Sequence, residues 1–414
     1  MRGAFPKLKI FYHFIKILSI DYYIFVKQFG FYSSIVYITN IMHNNNMNPF
    51  TVCATRSMRN YASEVTKCLS EYLCFSKMTG QINGLDLLNI DIFADGELEV
   101  SVNTSIRGKD VVLFSSSARN EAGISVTEAK MELYNAVDAL VRCQANRVII
   151  FEPFISCSRS DRTTRRSSVG LWVHLKTLTS LGAVHVVTFQ LHSDKSKTML
   201  DPAFYAIDDI PALTLLEKYL CDKYIKTKDT LENEVRNNWA FCSVDAGGEK
   251  LARGFANSFG APLVVAHKQR DYSKPNSIES INILSAEPVE GKNLWIVDDM
   301  VDTAGSVEKL IRALAHLNPK EINIISVHAI FSPPSIERLE ALSKEGLLNR
   351  MIVTDTVCCS SYKENIPGLE IVQSSELAAQ IIKAIINNES MSKLLRPFDA
   401  GIYLSSKTND TNKK

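Results

Sequence analysis

The sequence predicts an α/β protein of two similar domains, each a parallel sheet flanked by helices. Short, β-branched apolar runs recur at Val111–Phe114, Arg147–Phe151, Ala183–Phe189, Pro262–Ala266, Leu294–Val297 and Ile322–Val327. Stretches with helical period lie between them, at Met58–Leu73, Ala129–Arg142, Gly170–Leu181, Glu249–Ser258 and Val307–Leu317. The runs are apolar throughout instead of alternating, as strands covered on both faces are. Strands with helices between them occur on both sides of residue 205, which divides the chain into 48–205 and 206–395 without a strict repeat. Sheets of this kind place ligands beyond the carboxyl ends of their strands.

A chain of 414 residues suits two ordinary domains with tails. Lys and Arg number 46 against 45 Asp and Glu, so no global field draws the protein to nucleic acid or an anionic membrane. Nine scattered cysteines, an odd count without a C-x-x-C pair, predict reduced thiols in a cytoplasmic setting. Residues 1–46 differ from the rest: Arg2, Lys7, Lys9, Lys16 and Lys27 face a single acid, Asp21. Lys16, Asp21 and Lys27 also break every apolar run long enough to span a bilayer. Two readings of the extension up to residue 47 stand: an organelle-targeting segment, or a non-native start upstream of Met47. The charged stretch Asp222–Asn238 predicts an exposed helix or surface insertion, and the polar residues 404–414 predict a disordered tail.

The most informative stretch is Asn293-Leu-Trp-Ile-Val-Asp298-Asp299-Met-Val-Asp302-Thr303-Ala304-Gly305-Ser306. An apolar strand runs into two acids, turns through small residues and enters an amphipathic helix. Amides at a helix N-terminus lack partners within the helix and face an anion. Thr303 and Ser306 add hydroxyl donors, and Gly305 lets the backbone come close. The loop is built to hold one phosphate monoester, with Asp298 and Asp299 placed for sugar hydroxyls or a metal.

This loop resembles the ribose-5-phosphate loop of type I phosphoribosyltransferase folds, with Ala304 in place of the usual Gly and Ser306 in place of Thr. Transferases that use phosphoribosyl pyrophosphate and the synthetase that makes it share the motif. The N-terminal half chooses between them. Asp91-Ile-Phe93-Ala-Asp95-Gly96-Glu97-Leu-Glu99 resembles the Phe-x-Asp-Gly-Glu segment with which ribose-phosphate diphosphokinases line ATP. On an extended chain Phe93, Asp95, Glu97 and Glu99 share one face, an aromatic ring with carboxylates that suits a purine nucleoside. Pro153-Phe-Ile-Ser-Cys-Ser-Arg159-Ser160-Asp161-Arg162 is similar to the family's Pro-Tyr-x-x-Tyr-Ala-Arg-Gln-Asp-Arg signature, which implies ATP contacts for Arg159, Ser160 and Asp161. Ser160 replaces Gln there.

Gln190-Leu-His192 resembles the family's Asp-Leu-His, with His192 at the Mg²⁺-associated position and Gln190 in place of a carboxylate. Ser243-Val-Asp245-Ala-Gly-Gly resembles its Ser-Pro-Asp-x-Gly-Gly turn, where the Asp organises metal and sugar. His267-Lys268-Gln-Arg270 resembles the Lys-Arg-Arg opening of its catalytic loop, and residues 271–280 resemble the lid that follows. The resemblance runs from about residue 50 to 395. It implies a Mg²⁺-dependent transfer of the diphosphoryl group of ATP to ribose 5-phosphate, giving AMP and phosphoribosyl pyrophosphate. Lys268 and Arg270 are then catalytic, Arg270 also contacts the ribose phosphate, and the chain forms a homo-oligomer, commonly a hexamer, or joins synthetase paralogues. Two readings compete: a catalytically weak synthetase-associated subunit, for which Ser160, Gln190, Gln269 and Ala304 speak, and a phosphoribosyltransferase for a base.

Overall fold

The computed structural model describes residues 49–73, 84–163, 166–269 and 280–411. The first half runs β1 (Phe50–Ala54), α1 (Arg59–Leu73), β2 (Leu88–Ile92), β3 (Leu98–Val102), β4 (Asp110–Phe114), α2 (Val126–Arg142), β5 (Arg147–Phe151), α3 (Gly170–Ser180), β6 (His185–Phe189) and β7 (Ala206–Ile210). Strands β1-β4-β5-β6-β7, in that order, form a parallel sheet, while β2 and β3 pair as a separate antiparallel ribbon. The apolar strands are buried along nearly their whole length, which is why their sequences do not alternate. Phe114, Phe151 and Phe189 meet across three neighbouring strands, their ring centroids 4.8 and 5.5 Å apart. Helix α2 buries Ala129, Leu133, Ala136, Val137 and Leu140, the i, i+4, i+7, i+8, i+11 stripe of one face. Its start is fixed by Ser125, whose Oγ accepts from the Glu128 amide at 3.2 Å, a cap worth about 1 kcal/mol.

The second half runs α4 (Leu213–Leu220), β8 (Trp239–Ser243), α5 (Glu249–Phe259), β9 (Leu263–Gln269), β10 (Ser280–Ser285), β11 (Asn293–Val301), α6 (Gly305–Ala315), β12 (Glu321–Ala329), α7 (Ser335–Lys344), β13 (Arg350–Thr354), β14 (Leu369–Val372), α8 (Ser375–Ile386) and α9 (Ala400–Thr411). Its sheet has the order β10-β9-β8-β11-β12-β13-β14, parallel except for β10. Helix α5 stops at Gly260, whose φ of 65° is left-handed and cheap only for glycine.

Both sheets belong to one compact unit, Pro49–Lys414. Helix α1 packs on α8, and Tyr61 Oη meets Ser374 Oγ at 2.7 Å. Buried His328, on β12, crosses to the other sheet: its Nε2 lies 3.1 Å from the Phe189 carbonyl and 3.2 Å from that of Gln190. Burial holds its pKa below the usual histidine value, so the neutral ring donates Nε2–H to those carbonyls.

Several expectations change. Strand β7 pairs with β6, so the first sheet extends past residue 205 to Ile210. Residues 404–411 are helical as part of α9, because buried Leu404 gives the segment an apolar anchor that a polar composition hides. Asp222–Asn238 buries Ile225, Leu231 and Val235 beneath its charges, around two wide helical turns at Cys221–Ile225 and Leu231–Val235. Among the described residues no helix is long and apolar enough to cross a membrane. The extension 1–47, and with it the targeting question, lies outside the described residues.

Candidate active site

The site grows from β11. Its pairing with β12 continues past the expected end, through Asp298↔Ser326 to Val301↔Ala329, so both acids sit inside the strand and not after it. Ala304 then takes a left-handed φ of 58° and turns the chain into α6, whose first helical residue is Gly305. Val307, Leu310, Ile311 and Leu314 bury the inner face of α6 and fix its N-terminus over the strand ends. The Asp302–Ser306 loop forms one wall of a cavity of about 610 Å³, which Arg159, His192, Asp245, His267, Asp298 and Asp299 also line. Arg159 follows β5, His192 follows β6 and Asp245 follows β8, so the cavity opens where strands of both sheets end.

The carboxylates differ by environment. Burial, and next the charge of Asp299, raise Asp298 well above the usual carboxyl range. Burial also pushes Asp299 up, but the hydrogen bond and charge of His192 outweigh it and leave Asp299 lowered. His192 is raised in turn, first by its hydrogen bond to Asp299. Asp245 Oδ1 accepts from the Gly247 and Gly248 amides at 2.9 and 3.2 Å, which holds the Gly-Gly turn at the cavity floor. Arg159 reaches from the first sheet to pair with Asp302, whose other oxygen, Oδ1, is buried and has no hydrogen-bond partner. Behind the loop, Arg338 on α7 donates from Nη1 to the Thr303 carbonyl at 2.9 Å.

The structure thus gathers Arg159, His192, Asp245, Asp298, Asp299 and residues 302–306. Ser160 instead faces α3, its Oγ accepting from the Gly170 amide at 2.9 Å. Asp161 acts on His192 through its charge without lining the cavity. Phe93, Asp95, Gly96 and Glu97 do not line it either, and the segment is not an extended strand. It is the β2–β3 turn: Phe93 N bonds to Glu97 O and Gly96 N to Phe93 O, with Gly96 at φ 91°. An Asp-Gly pair favours such a turn, since glycine takes positive φ freely, and turn preference overrides strand alternation here. Phe93 is 51% exposed. The Lys268 backbone lies in β9, next to the cavity-lining His267; the Lys268 side chain, Arg270 and residues 271–279 lie outside the described residues.

Arg338 was missed as a site support. Arg338 is an ordinary helix-surface arginine by pattern, and only the approach of α7 to the loop gives it a role.

Among the described residues no group of three His, Cys, Asp or Glu side chains is set to hold a metal. The donors do fit Mg²⁺ bound chiefly by substrate phosphates: Asp245 and the paired acids supply hard oxygens, and Mg²⁺ needs only one or two of them.

Family models match two parts of the chain: "N-terminal domain of ribose phosphate pyrophosphokinase" over residues 50–182 and "Phosphoribosyl transferase domain" over residues 218–355. A ribose-phosphate pyrophosphokinase of Fusobacterium nucleatum is 31% identical over 322 residues, 77% of this chain and 94% of the relative. Ribose-phosphate pyrophosphokinase 1, chloroplastic, of Arabidopsis thaliana is 34% identical over 315 residues, 75% of this chain and 72% of the relative. The crystal structure of phosphoribosylpyrophosphate synthetase from Mycobacterium smegmatis has the same fold, with a TM-score of 0.67 at 24% identity over 82% of this chain and 99% of that one.

Proposed function

The chain belongs to the ribose-phosphate pyrophosphokinase family, whose reaction turns ATP and ribose 5-phosphate into AMP and 5-phosphoribosyl 1-diphosphate, and from that premise we propose how its residues divide the work. The 5-phosphate sits against the amides and hydroxyls of Asp302–Ser306, at the positive end of α6. Asp298 and Asp299 accept from the ribose hydroxyls and aim the anomeric oxygen at the β-phosphorus of ATP. Arg159, which lines the same cavity, leaves Asp302 and takes phosphate oxygens of ATP on its planar fork. Ser160 and Asp161 support Arg159, and the resemblance assigns Phe93, Asp95, Gly96 and Glu97 to the nucleoside. Lys268 and Arg270 neutralise charge that develops on the transferred group.

Mg²⁺, when bound, neutralises and orients the phosphate oxygens, with Asp245 and the neighbourhood of His192 as its protein side. Asp299 engages His192 at Nδ1 and Mg²⁺ prefers oxygen ligands, so we assign the rest of the ring to phosphate or to a metal-bound water. Assembly as a homo-oligomer, with a hexamer or synthetase paralogues as its forms, and a cytoplasmic location belong to the same proposal. Relatives named chloroplastic keep organelle targeting by residues 1–46 as the alternative location.

The observation that carries this reading is that the phosphate loop, Arg159 and His192 line one cavity. AMP formation by the purified chain alone, with ATP, Mg²⁺ and ribose 5-phosphate, tests it. Turnover that depends on ribose 5-phosphate is expected. A chain inert alone and active only with a paralogue would make it an associated subunit instead.

A further inference from the structure

The turn that carries Arg159 also holds a thiol that the reaction does not use. Cys157 lies half-buried, with its backbone at a left-handed φ of 63°, and its carbonyl accepts from the Ser160 amide at 2.7 Å. That bond closes the four-residue turn with Arg159 in its third place. Lys130, on α2, donates from Nζ to Cys157 Sγ at 3.2 Å, and no carboxylate pairs with Lys130 among the described residues. On its other side the sulfur meets the start of α3: a methyl group built on Gly170 would come within 3.3 Å of Cys157 Sγ and 3.2 Å of Ser160 Oγ. The sulfur thus has a cation to stabilise negative charge on it, and a tight wall on its α3 side.

We propose that Cys157 is a modification site, a peroxide-reactive thiol poised by Lys130, whose oxidation to the sulfenic acid displaces the turn carrying Arg159. The sulfur attacks one oxygen of hydrogen peroxide as the thiolate, an S–O bond forms and the O–O bond breaks. Sulfur gives up two electrons, and the hydroxide that leaves takes a proton from solvent to become water. Lys130 stabilises both the attacking sulfur and the departing hydroxide. An added oxygen that turns towards α3 presses on Gly170 and Ser160, which opens the Ser160–Gly170 hydrogen bond and moves Arg159 with its turn. A small thiol reverses the change, forming a mixed disulfide and then restoring Cys157.

The effect on turnover rests on the proposed ATP contact of Arg159; the reactivity of Cys157 does not. The experiment therefore reads both. The full chain is treated with hydrogen peroxide, sulfenic acids are trapped with dimedone, and each cysteine is quantified by peptide mass spectrometry. Exposed Cys143 serves as the internal reference. Cys157 is expected to label roughly tenfold or more ahead of Cys143, the advantage of a charge-assisted hydrogen bond to the attacking atom. In Lys130→Met that lead is expected to vanish. AMP formation should fall with Cys157 occupancy and resist peroxide in Cys157→Ser. Labelling of Cys157 no faster than Cys143, or a lead that survives Lys130→Met, overturns the site. Equal peroxide inhibition of Cys157→Ser overturns the coupling to Arg159. An untreated enzyme without turnover would instead count against the proposed function and leave the labelling result readable.

Discussion

His192 Nδ1 lies 2.7 Å from Asp299 Oδ2, joining the carboxyl end of β6 in one sheet to β11 in the other. Each group shifts the other as a charged pair should, His192 upward and Asp299 downward. A raised histidine adds stability that is complete below its unfolded pKa of about 6.5 and is lost as pH rises through the higher folded value. The lowered aspartate adds stability present above about 3.9 and lost as pH falls through its folded value. In the metal-free protein, the NMR titration of the His192 ring is expected above the usual histidine midpoint and should drop in Asp299→Asn. An unchanged midpoint in that variant would mean the pair does not form in solution.

Arg159 and Asp302 pair with side chains 54% and 16% exposed, so solvent screens them and the bond adds at most about 1 kcal/mol to folding. Arg159→Ala should therefore leave the unfolding midpoint almost unmoved. The charge-assisted bonds to ATP phosphates contribute about 1.5–3 kcal/mol, so KM for ATP should rise roughly tenfold to a hundredfold. Steady-state kinetics beside thermal denaturation separate the two roles. A large loss of stability with ATP affinity intact would reverse the assignment.

Lys268→Ala should lower kcat far more than KM, because charge on the transferred group develops only in the transition state. Turnover within a few-fold of the parent would remove Lys268 from the reaction.

Glu217 on α4 is 5% exposed, and burial pushes its carboxyl up to about 7. The folded state therefore holds its proton more tightly than the unfolded chain does. Its contribution is greatest at low pH, declines as pH rises from about 4.5 towards 7, and is then gone. The full span is about 3 kcal/mol at most. Denaturant titrations at several pH values should show Glu217→Gln gaining on the parent across that window. Parallel curves for the two proteins would show that Glu217 is solvated.

The sheets were legible because continuous β-branched runs have few other uses, and residues 302–306 because a strand, a small-residue loop and a helix must meet there in that order. The Phe93–Glu97 segment misled because alternation and turn chemistry compete over five residues, and Asp95-Gly96 settles the matter locally. Strand β11 outran its apolar core since β12 offered ladder partners beyond Val297, a fact of pairing that composition cannot carry. Arg338, and the carbonyl partner of His328, were invisible for a similar reason, the paired residues lying 35 and 139 positions apart.

Arg338 offers the sharpest test of how the phosphate loop is held. A methyl group added at Gly305 would fall 2.7 Å from Arg338 Nη1, too close for both to stay. The guanidinium is the far end of a flexible chain, so it can swing away and leave the fold intact. What goes with it is the bond to the Thr303 carbonyl, worth about 0.5–1.5 kcal/mol when intact. Gly305→Ala and Arg338→Ala should each weaken ribose 5-phosphate binding by roughly twofold to tenfold at near-constant stability. Because both act through one bond, the double variant should bind no worse than the weaker single one. Penalties that add in the double variant would show that Gly305 matters for close approach to the phosphate itself, with Arg338 a bystander.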